Sequence, residues 1–96
     1  MANGYWVVSY GSVSNPEAMS EYRKLAASAI EALGGRVLVA STPAKAHEAG
    51  VDELVVVVEF ENVEKAIAAY ESELYRPALK VFDNAAPRDF RIVEGR

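Results

Sequence analysis

The chain has 96 residues, a formal net charge of −4 at pH 7, 51% hydrophobic residues and 25% charged residues. This length suits one domain, residues 1–96, and the ordinary globular composition excludes a disordered or collagen-like chain. With no cysteine and a single histidine, the chain lacks the usual metal ligands, and we expect no cofactor. The acidic balance gives no reason to expect binding to nucleic acid or to an anionic membrane.

The sequence shows no targeting or membrane-spanning segment. The N-terminus has no basic region ahead of an apolar stretch, so it does not resemble a signal peptide. The longest strongly apolar run covers residues 54–58, far short of the roughly 20 residues of a membrane helix. We therefore expect a soluble cytoplasmic protein.

Four segments are predicted as strands because aromatic and β-branched residues are concentrated in them. They cover residues 5–10, 36–41, 54–60 and 89–94. In the first strand, Trp6, Val8 and Tyr10 share one face because successive side chains alternate between faces. Residues 44–53 form the predicted hairpin connection between the second and third strands.

A first helix is predicted after a turn at residues 11–15. Its start has two alternative caps: Ser14 in a capping box with Glu17, or Asn15 followed by Pro16 at the first helical position. Two glycines at residues 34–35 end it. Its apolar residues recur at helical spacing: Met19, Tyr22, Ala26, Ala29, Ile30 and Leu33.

A second helix is predicted after Asn62, which caps it. Pro77 must break this helix because proline lacks the backbone donor and clashes one turn back. A short helical continuation through Phe82 and a loop at residues 84–87 then lead to the last strand. The apolar stripe of the second helix is Val63, Ala66, Ile67, Tyr70 and Leu74.

The order β-α-β-β-α-β predicts an α+β, ferredoxin-like fold. Right-handed crossovers give a four-stranded antiparallel sheet with both helices on one face and the first and third strands at its centre. The third strand is apolar on both faces, and the helices cover only one face of the sheet. Such an exposed patch exceeds what a soluble monomer usually shows, so we expect a homodimer formed through the open sheet face. The alternative is a monomer with an unusually apolar surface.

Six short stretches, spread over nearly the whole chain, carry a family resemblance. They are residues 4–6, 34–36, 57–60, 62–66, 70–75 and 92–95. They resemble the DUF1330 family, which is of unknown function and belongs to the dimeric α/β-barrel superfamily. The resemblance implies a ferredoxin-like protomer, sheet-to-sheet dimerisation into an α/β barrel, and a cleft between sheet and helices. The superfamily includes cofactor-independent monooxygenases, isomerases, lactonases, haem-degrading proteins and ligand-sensing domains, so the fold does not choose among them.

The chain departs from this family at two positions. Members often carry one arginine late in the second strand and another in the helix before the last strand. The corresponding positions here are Ala40 and Phe82. The resemblance therefore implies a more apolar cleft in this chain, without the anion-binding chemistry that such arginines would supply.

The candidate cleft residues are aromatic, because aromatic side chains provide apolar area and, in Trp and Tyr, one hydrogen-bonding group. Tyr22 and Tyr70 lie on the sheet-facing stripes of the two helices and should converge over the first strand. The alternative for these residues is plain core packing. The full candidate set is Trp6, Tyr10, Tyr22, Tyr70 and Phe82.

Two residues are candidates for catalysis. His47 is the single histidine, the side-chain type that titrates near neutral pH. It acts as a general acid/base, supplies one ligand of a metal shared across a dimer, or is an exposed loop residue. Glu59 lies within the most apolar strand, where it is either a general base with a raised pKa or a structural carboxylate paired with an arginine. Arg36, Arg88 and Arg91 are the potential partners.

The sequence contains none of the common phosphate-binding, nucleophile or zinc motifs. It predicts a protein that acts on a small apolar or aromatic molecule bound between sheet and helices. One possibility is a cofactor-independent enzyme of isomerase, lyase or monooxygenase type, in which His47, Glu59 or a tyrosine moves a proton. The alternatives are a non-catalytic dimeric ligand-binding or sensing module, and a domain that only mediates association.

Overall fold

The computed structural model of the chain describes residues 2–96. Its elements follow the order βαββααβ. They are β1 Gly4–Tyr10, α1 Pro16–Ala32, β2 Arg36–Ser41, β3 Val55–Phe60, α2 Val63–Tyr70, α3 Arg76–Phe82 and β4 Arg88–Glu94. The predicted strands are confirmed to within one residue at each end, and the predicted helical continuation is a separate helix, α3.

The four strands form one antiparallel sheet with the order β2-β3-β1-β4. The predicted central position of β1 and β3 is therefore confirmed, as is the ferredoxin-like arrangement. Trp6 on β1 stands opposite Val58 on β3 and Ile92 on β4. An irregularity between Val37 and Val39 shifts the register of β2 against β3 by one residue.

Helix α1 begins with the second of the two predicted caps. The Asn15 side chain accepts a hydrogen bond from the backbone N–H of Ala18 at 3.1 Å, and Pro16 occupies the first turn. Gly34, with a φ of 84°, follows the helix in the left-handed region that glycine tolerates. The predicted apolar stripe of α1 faces the core: Met19, Tyr22, Ala26, Ala29 and Ile30 are buried.

The predicted stripe of the second helix is wrong at two positions. Ile67 and Leu74 are 42% and 51% exposed, and Tyr75 is buried instead. Helix α2 ends at Tyr70 because Ser72 intervenes: its hydroxyl donates to the carbonyl of Ala69 at 2.7 Å and accepts from the N–H of Tyr75 at 3.2 Å. This turn, ahead of the proline that was expected to break the helix, directs Tyr75 into the core.

Helices α1 and α2 pack on the sheet face that carries Trp6, Val8 and Tyr10, and α3 packs mainly against α1 on the same side of the sheet. The Trp6 indole donates a buried hydrogen bond to the carbonyl of Ala66 in α2 at 2.8 Å. No helix within residues 2–96 is long and apolar enough to span a bilayer. The buried core is Trp6, Val8, Tyr10, Met19, Tyr22, Ala26, Ala29, Ile30, Val58, Phe60, Ala66, Ala69, Tyr75, Ala78, Phe82, Ala85 and Ala86.

Candidate functional site

A cavity of about 310 Å³ lies between α1 and the sheet, near the lower end of the usual range for small-molecule sites. Ala26 and Ala27 of α1 form part of its wall, and their small side chains leave room above the sheet. The six residues of β2 are exposed at the sheet edge, and two of them, Val37 and Ala40, also line the cavity. The remaining wall is mainly aromatic and aliphatic: Trp6, Val8, Tyr10, Met19, Tyr22, Arg23, Ile30, Leu54, Val56, Val58, Tyr75 and Phe90.

Three tyrosines of the cavity wall meet Arg88 in one hydrogen-bonded group. Arg88 Nη1 donates to the Tyr10 hydroxyl at 3.0 Å and to the Tyr22 hydroxyl at 2.9 Å. The hydroxyls of Tyr22 and Tyr75 are hydrogen-bonded to each other. All three tyrosines are buried, Tyr75 completely. We call these four residues the tyrosine–arginine cluster.

Distant parts of the chain bring the cluster together. The register of β1 against β4 places Tyr10 opposite Arg88. Tyr22 lies on the buried stripe of α1, and Tyr75 stands at the N-terminal end of α3. Because its members come from two strands and two helices, no local sequence motif marks the cluster.

Four aromatic rings lie close to the guanidinium of Arg88, which is half-buried and also borders two open grooves. Its guanidinium carbon lies 4.0 Å from the ring centroid of Phe82 and 5.0 Å from that of Phe90. The rings of Tyr22 and Tyr10 follow at 5.2 and 5.7 Å. Each distance permits a cation–π interaction. Burial acts to lower the pKa of Arg88, but the adjacent phenol groups of Tyr22 and Tyr10 outweigh it and raise that pKa, so the guanidinium stays charged.

Two phenols of the cluster, those of Tyr10 and Tyr75, hold their protons tightly. Burial raises the pKa of Tyr10 to about 12, reinforced by the neighbouring Tyr22 and opposed by Arg88. Burial, and next the proximity of Tyr22, also raises the pKa of Tyr75 well above its ordinary value. Tyr10 and Tyr75 are therefore protonated at neutral pH and able to donate hydrogen bonds to an acceptor.

The predicted cleft residues divide into two groups. Trp6, Tyr10 and Tyr22 line the cavity, whereas Tyr70 and Phe82 line a separate groove that includes the end of α3. The rings of Tyr22 and Tyr70 each pack on Tyr75, at 6.3 and 5.8 Å between centroids, so the two helices meet through this third tyrosine. Tyr70 also packs against Trp6 at 6.2 Å. The ligand-binding roles of these residues stay predictions.

His47 lies in the connection between β2 and β3 and is exposed. It lines an open groove at one end of the sheet, together with Lys45, Glu53 and Asp89, and it does not line the cavity. Its predicted catalytic role stays a prediction, and its position matches the alternative of a loop histidine.

Glu59 lies on the sheet face opposite the helices, where three groups bind its carboxylate. Arg36 Nη2 donates to Oε1 at 2.8 Å, and Asn3 and the Tyr5 hydroxyl donate to Oε2 at 3.0 and 3.2 Å. Partial burial acts to raise the pKa of Glu59, but these hydrogen bonds and the charge of Arg36 outweigh it and hold the pKa below its ordinary value. Of the two alternatives for Glu59, a general base with a raised pKa is wrong. The carboxylate is instead paired with Arg36.

The predicted cleft omits Tyr75 and Arg88. Tyr75 does not belong to the predicted apolar stripe of the second helix, because the prediction continues that helix beyond Tyr75 without a turn. The sequence presents Arg88 as a potential partner for Glu59 and does not place it at the cleft. Counting residues along the antiparallel pairing of the first and last strands would have placed Arg88 opposite Tyr10, so the register is the signal that could have found it.

The fold and the cavity define a ferredoxin-like α+β protein with a mainly apolar cleft between its helices and its sheet. The family model of DUF1330, a domain of unknown function, matches residues 3–96. The chain belongs to this family, and the expected membership is confirmed. A comparison with curated proteins gave no significant match.

Several solved structures share the fold at low sequence identity. A protein of unknown function from Rhodopseudomonas palustris, RPA0582, has a TM-score of 0.68 and 18% identity, over 97% of this chain and 80% of that one. A candidate antibiotic biosynthesis monooxygenase from Nitrosomonas europaea has a TM-score of 0.64 and 18% identity, over 99% and 92% of the two chains. Another such candidate, from Caulobacter crescentus CB15, has a TM-score of 0.61 and 15% identity, over 99% and 92%.

Proposed function

We propose that this protein binds a small apolar or aromatic molecule in the cavity between α1 and the sheet and acts on it without a cofactor. The observation that carries this proposal is the cavity itself. It has about 310 Å³ of space and a mainly apolar wall, and three of its tyrosines belong to one hydrogen-bonded cluster. A mainly apolar cleft with a few convergent polar groups is the usual form of a small-molecule site.

The chemistry available at the cavity is hydrogen bonding and proton transfer by phenols beside a fixed positive charge. Tyr22 and Tyr75 are linked by their hydroxyls, and Arg88 supports Tyr22 from behind the cavity wall. Such a group suits an isomerase, lyase or cofactor-independent monooxygenase, in which negative charge develops on a substrate oxygen. The likeness in fold to two candidate antibiotic biosynthesis monooxygenases supports this class. Neither His47 nor Glu59 lines the cavity, so the proposed chemistry does not involve them.

A non-catalytic ligand-binding or sensing module is the second candidate. The raised pKa values of Tyr10 and Tyr75 favour it, because phenols that remain protonated at neutral pH serve as hydrogen-bond donors rather than as bases. An enzyme and a sensor would share the cavity and differ in whether the bound molecule changes.

Native mass spectrometry of the purified protein tests for a bound small molecule. We expect an adduct that Ala26→Leu diminishes, because the larger side chain fills the cavity from α1. Ala68→Leu, at an exposed position of α2, is the matched control and should leave the adduct unchanged. The recovered molecule is then incubated with the natural protein and with Tyr75→Phe. Turnover that Tyr75→Phe slows while binding persists supports the enzyme, and binding without turnover supports the sensor.

A homodimer formed through the open sheet face is part of this proposal. That face carries Val7 and Val57 at its centre, both half-buried, and Val39 and Val93, which are 41% and 40% exposed. The helices leave these valines uncovered, and a second sheet would bury them. Sedimentation equilibrium should give twice the mass of one chain, and Val57→Lys should give the monomer. Val13→Lys, at an exposed loop position, is the control, and a natural protein that sediments as a monomer would refute the dimer.

A further inference from the structure

We propose that the cavity is selective for an anionic molecule, an apolar body that carries one carboxylate, with the carboxylate directed at the tyrosine–arginine cluster. The inference rests on the proposed function, since it needs a ligand in the cavity, and it adds the chemical class of that ligand. Two independent features of the site support it: its hydrogen-bond donors outnumber its acceptors, and its charges are all positive.

The hydrogen bonds of the cluster leave donors without acceptors. Tyr10, Tyr22 and Tyr75 have one hydroxyl proton each, and the bond between Tyr22 and Tyr75 uses one of the three. Arg88 occupies a lone pair on Tyr10 and another on Tyr22. Within residues 2–96, none of these hydroxyls donates to a carbonyl or a carboxylate. A ligand oxygen with free lone pairs would accept the remaining protons.

The charges around the cavity have one sign. Arg23 is the charged residue of its wall, and among residues 2–96 no aspartate or glutamate lines it. Arg88 lies outside the cavity wall, behind Tyr10 and Tyr22, and makes no ion pair with a carboxylate in the described part of the chain. A largely buried charge is normally paired, and an anion in the cavity would supply the missing partner through the phenols. The net charge of the chain is −4, so the positive charge around the cavity does not follow from the overall composition.

The cation near the cavity is not supplied by the residues from which the family resemblance would lead us to expect it. The resemblance to the family predicts a cleft without anion-binding chemistry, because Ala40 and Phe82 stand where it leads us to expect arginines. Ala40 lines the cavity, and the ring of Phe82 lies against the guanidinium of Arg88. The positive charges therefore come from Arg23 in the cavity wall and from Arg88, the first residue of β4, behind that wall.

The test compares three probes with the same apolar body, 4-tert-butylbenzoate, 4-tert-butylbenzamide and 4-tert-butylbenzylamine, by isothermal titration calorimetry on the full chain. We expect the benzoate to bind about tenfold more tightly than the amide, since hydrogen bonds to a charged acceptor are the stronger ones, and the amine to bind most weakly. Equal affinities for benzoate and amide would overturn the inference and leave the proposed function intact. Absence of binding by all three would count against both.

Variants assign the preference to Arg88. In Arg88→Met, the benzoate should lose its advantage over the amide while the amide still binds, because Arg88 is not itself a residue of the cavity wall. Arg76→Met, at an exposed position of α3, is the matched control and should keep the full ratio. If Arg88→Met fails to fold, Tyr22→Phe with Tyr75→Phe removes donors instead of the charge and should reduce the same ratio. A ratio that survives both sets of substitutions would overturn the inference.

Discussion

The guanidinium carbon of Arg88 lies 4.0 Å from the ring centroid of Phe82. Phe82 is the last residue of α3 and Arg88 the first of β4, so this contact closes the loop that joins the two elements. The same guanidinium donates to Tyr22 on α1. The stability of this part of the core and the position of the site's charge therefore depend on one side chain.

A double-mutant cycle of Phe82→Leu and Arg88→Met should reveal coupling between these residues. We expect a coupling free energy of about 1–2 kcal/mol in unfolding by urea, because the cation is largely removed from water. Circular dichroism reports the unfolding. The control cycle pairs Phe82→Leu with Arg76→Met, which lies on the exposed side of α3, and should be additive. Additivity in both cycles would show that the ring and the guanidinium are merely adjacent.

The substitution Gly4→Ala should destabilise the fold by about 3 kcal/mol, the upper end for overpacking. A Cβ atom at Gly4 would lie 2.5 Å from the carbonyl oxygen of Asn62 and 2.5 Å from Cα of Val63, backbone atoms at the start of α2 that cannot move independently. Gly34→Ala is the comparison. Its Cβ would meet nothing within 4 Å, and the cost of about 1 kcal/mol would come from the φ of 84°. Urea midpoints for the two variants in the reverse order would contradict this account.

The strands and the sheet order were predictable because alternation and β-branched composition are strong local signals in this sequence. The end of α2 was not predictable from such signals. A proline marks an obvious break, but the chain leaves the helix several residues earlier, where the Ser72 side chain replaces backbone hydrogen bonds. Such a side-chain bond competes with the helix by about 1 kcal/mol, which periodicity does not register.

The candidate site was only half predictable for a different reason. Trp6, Tyr10 and Tyr22 stand on faces that period and alternation define, and all three line the cavity. Arg88 reaches the site because the register of β4 against β1 places it opposite Tyr10, and Tyr75 reaches it because of the turn after α2. Both are long-range consequences of the fold, so a search for motifs along the chain passes over them.

The raised pKa values of Tyr10 and Tyr75 predict how the protein responds to alkali. The pKa of Tyr10 is raised from about 10 in the unfolded chain to about 12 in the folded one, and that of Tyr75 is raised as well. The stability they contribute is fully present below pH 10 and is lost as the pH rises through 12. Near-ultraviolet absorbance of tyrosinate should show that two of the five tyrosines ionise only as circular dichroism reports unfolding.

The variant Tyr10→Phe provides the check on that titration. Its stability should fall less steeply than that of the natural protein between about pH 10 and pH 12, because one group with a raised pKa is gone. Val8→Ala, a buried neighbour on the same strand that has no titratable group, is the control and should lower the stability without changing this slope. If all five tyrosines ionise while the protein stays folded, the burial argument for the cluster is wrong.

The lowered pKa of Glu59 separates a structural role from a catalytic one. Carboxyl-carbon NMR should give a midpoint below the ordinary glutamate value of 4.5, and Arg36→Gln should raise it. Because the folded pKa is the lower one, the stability that Glu59 contributes is present above pH 4.5 and is lost as the pH falls through the folded pKa. Arg91→Gln is the control: it should raise the pKa of Asp89, which Arg91 lowers, and leave that of Glu59 unchanged. A Glu59 midpoint above 4.5 in the natural protein would instead restore this carboxylate as a candidate general base.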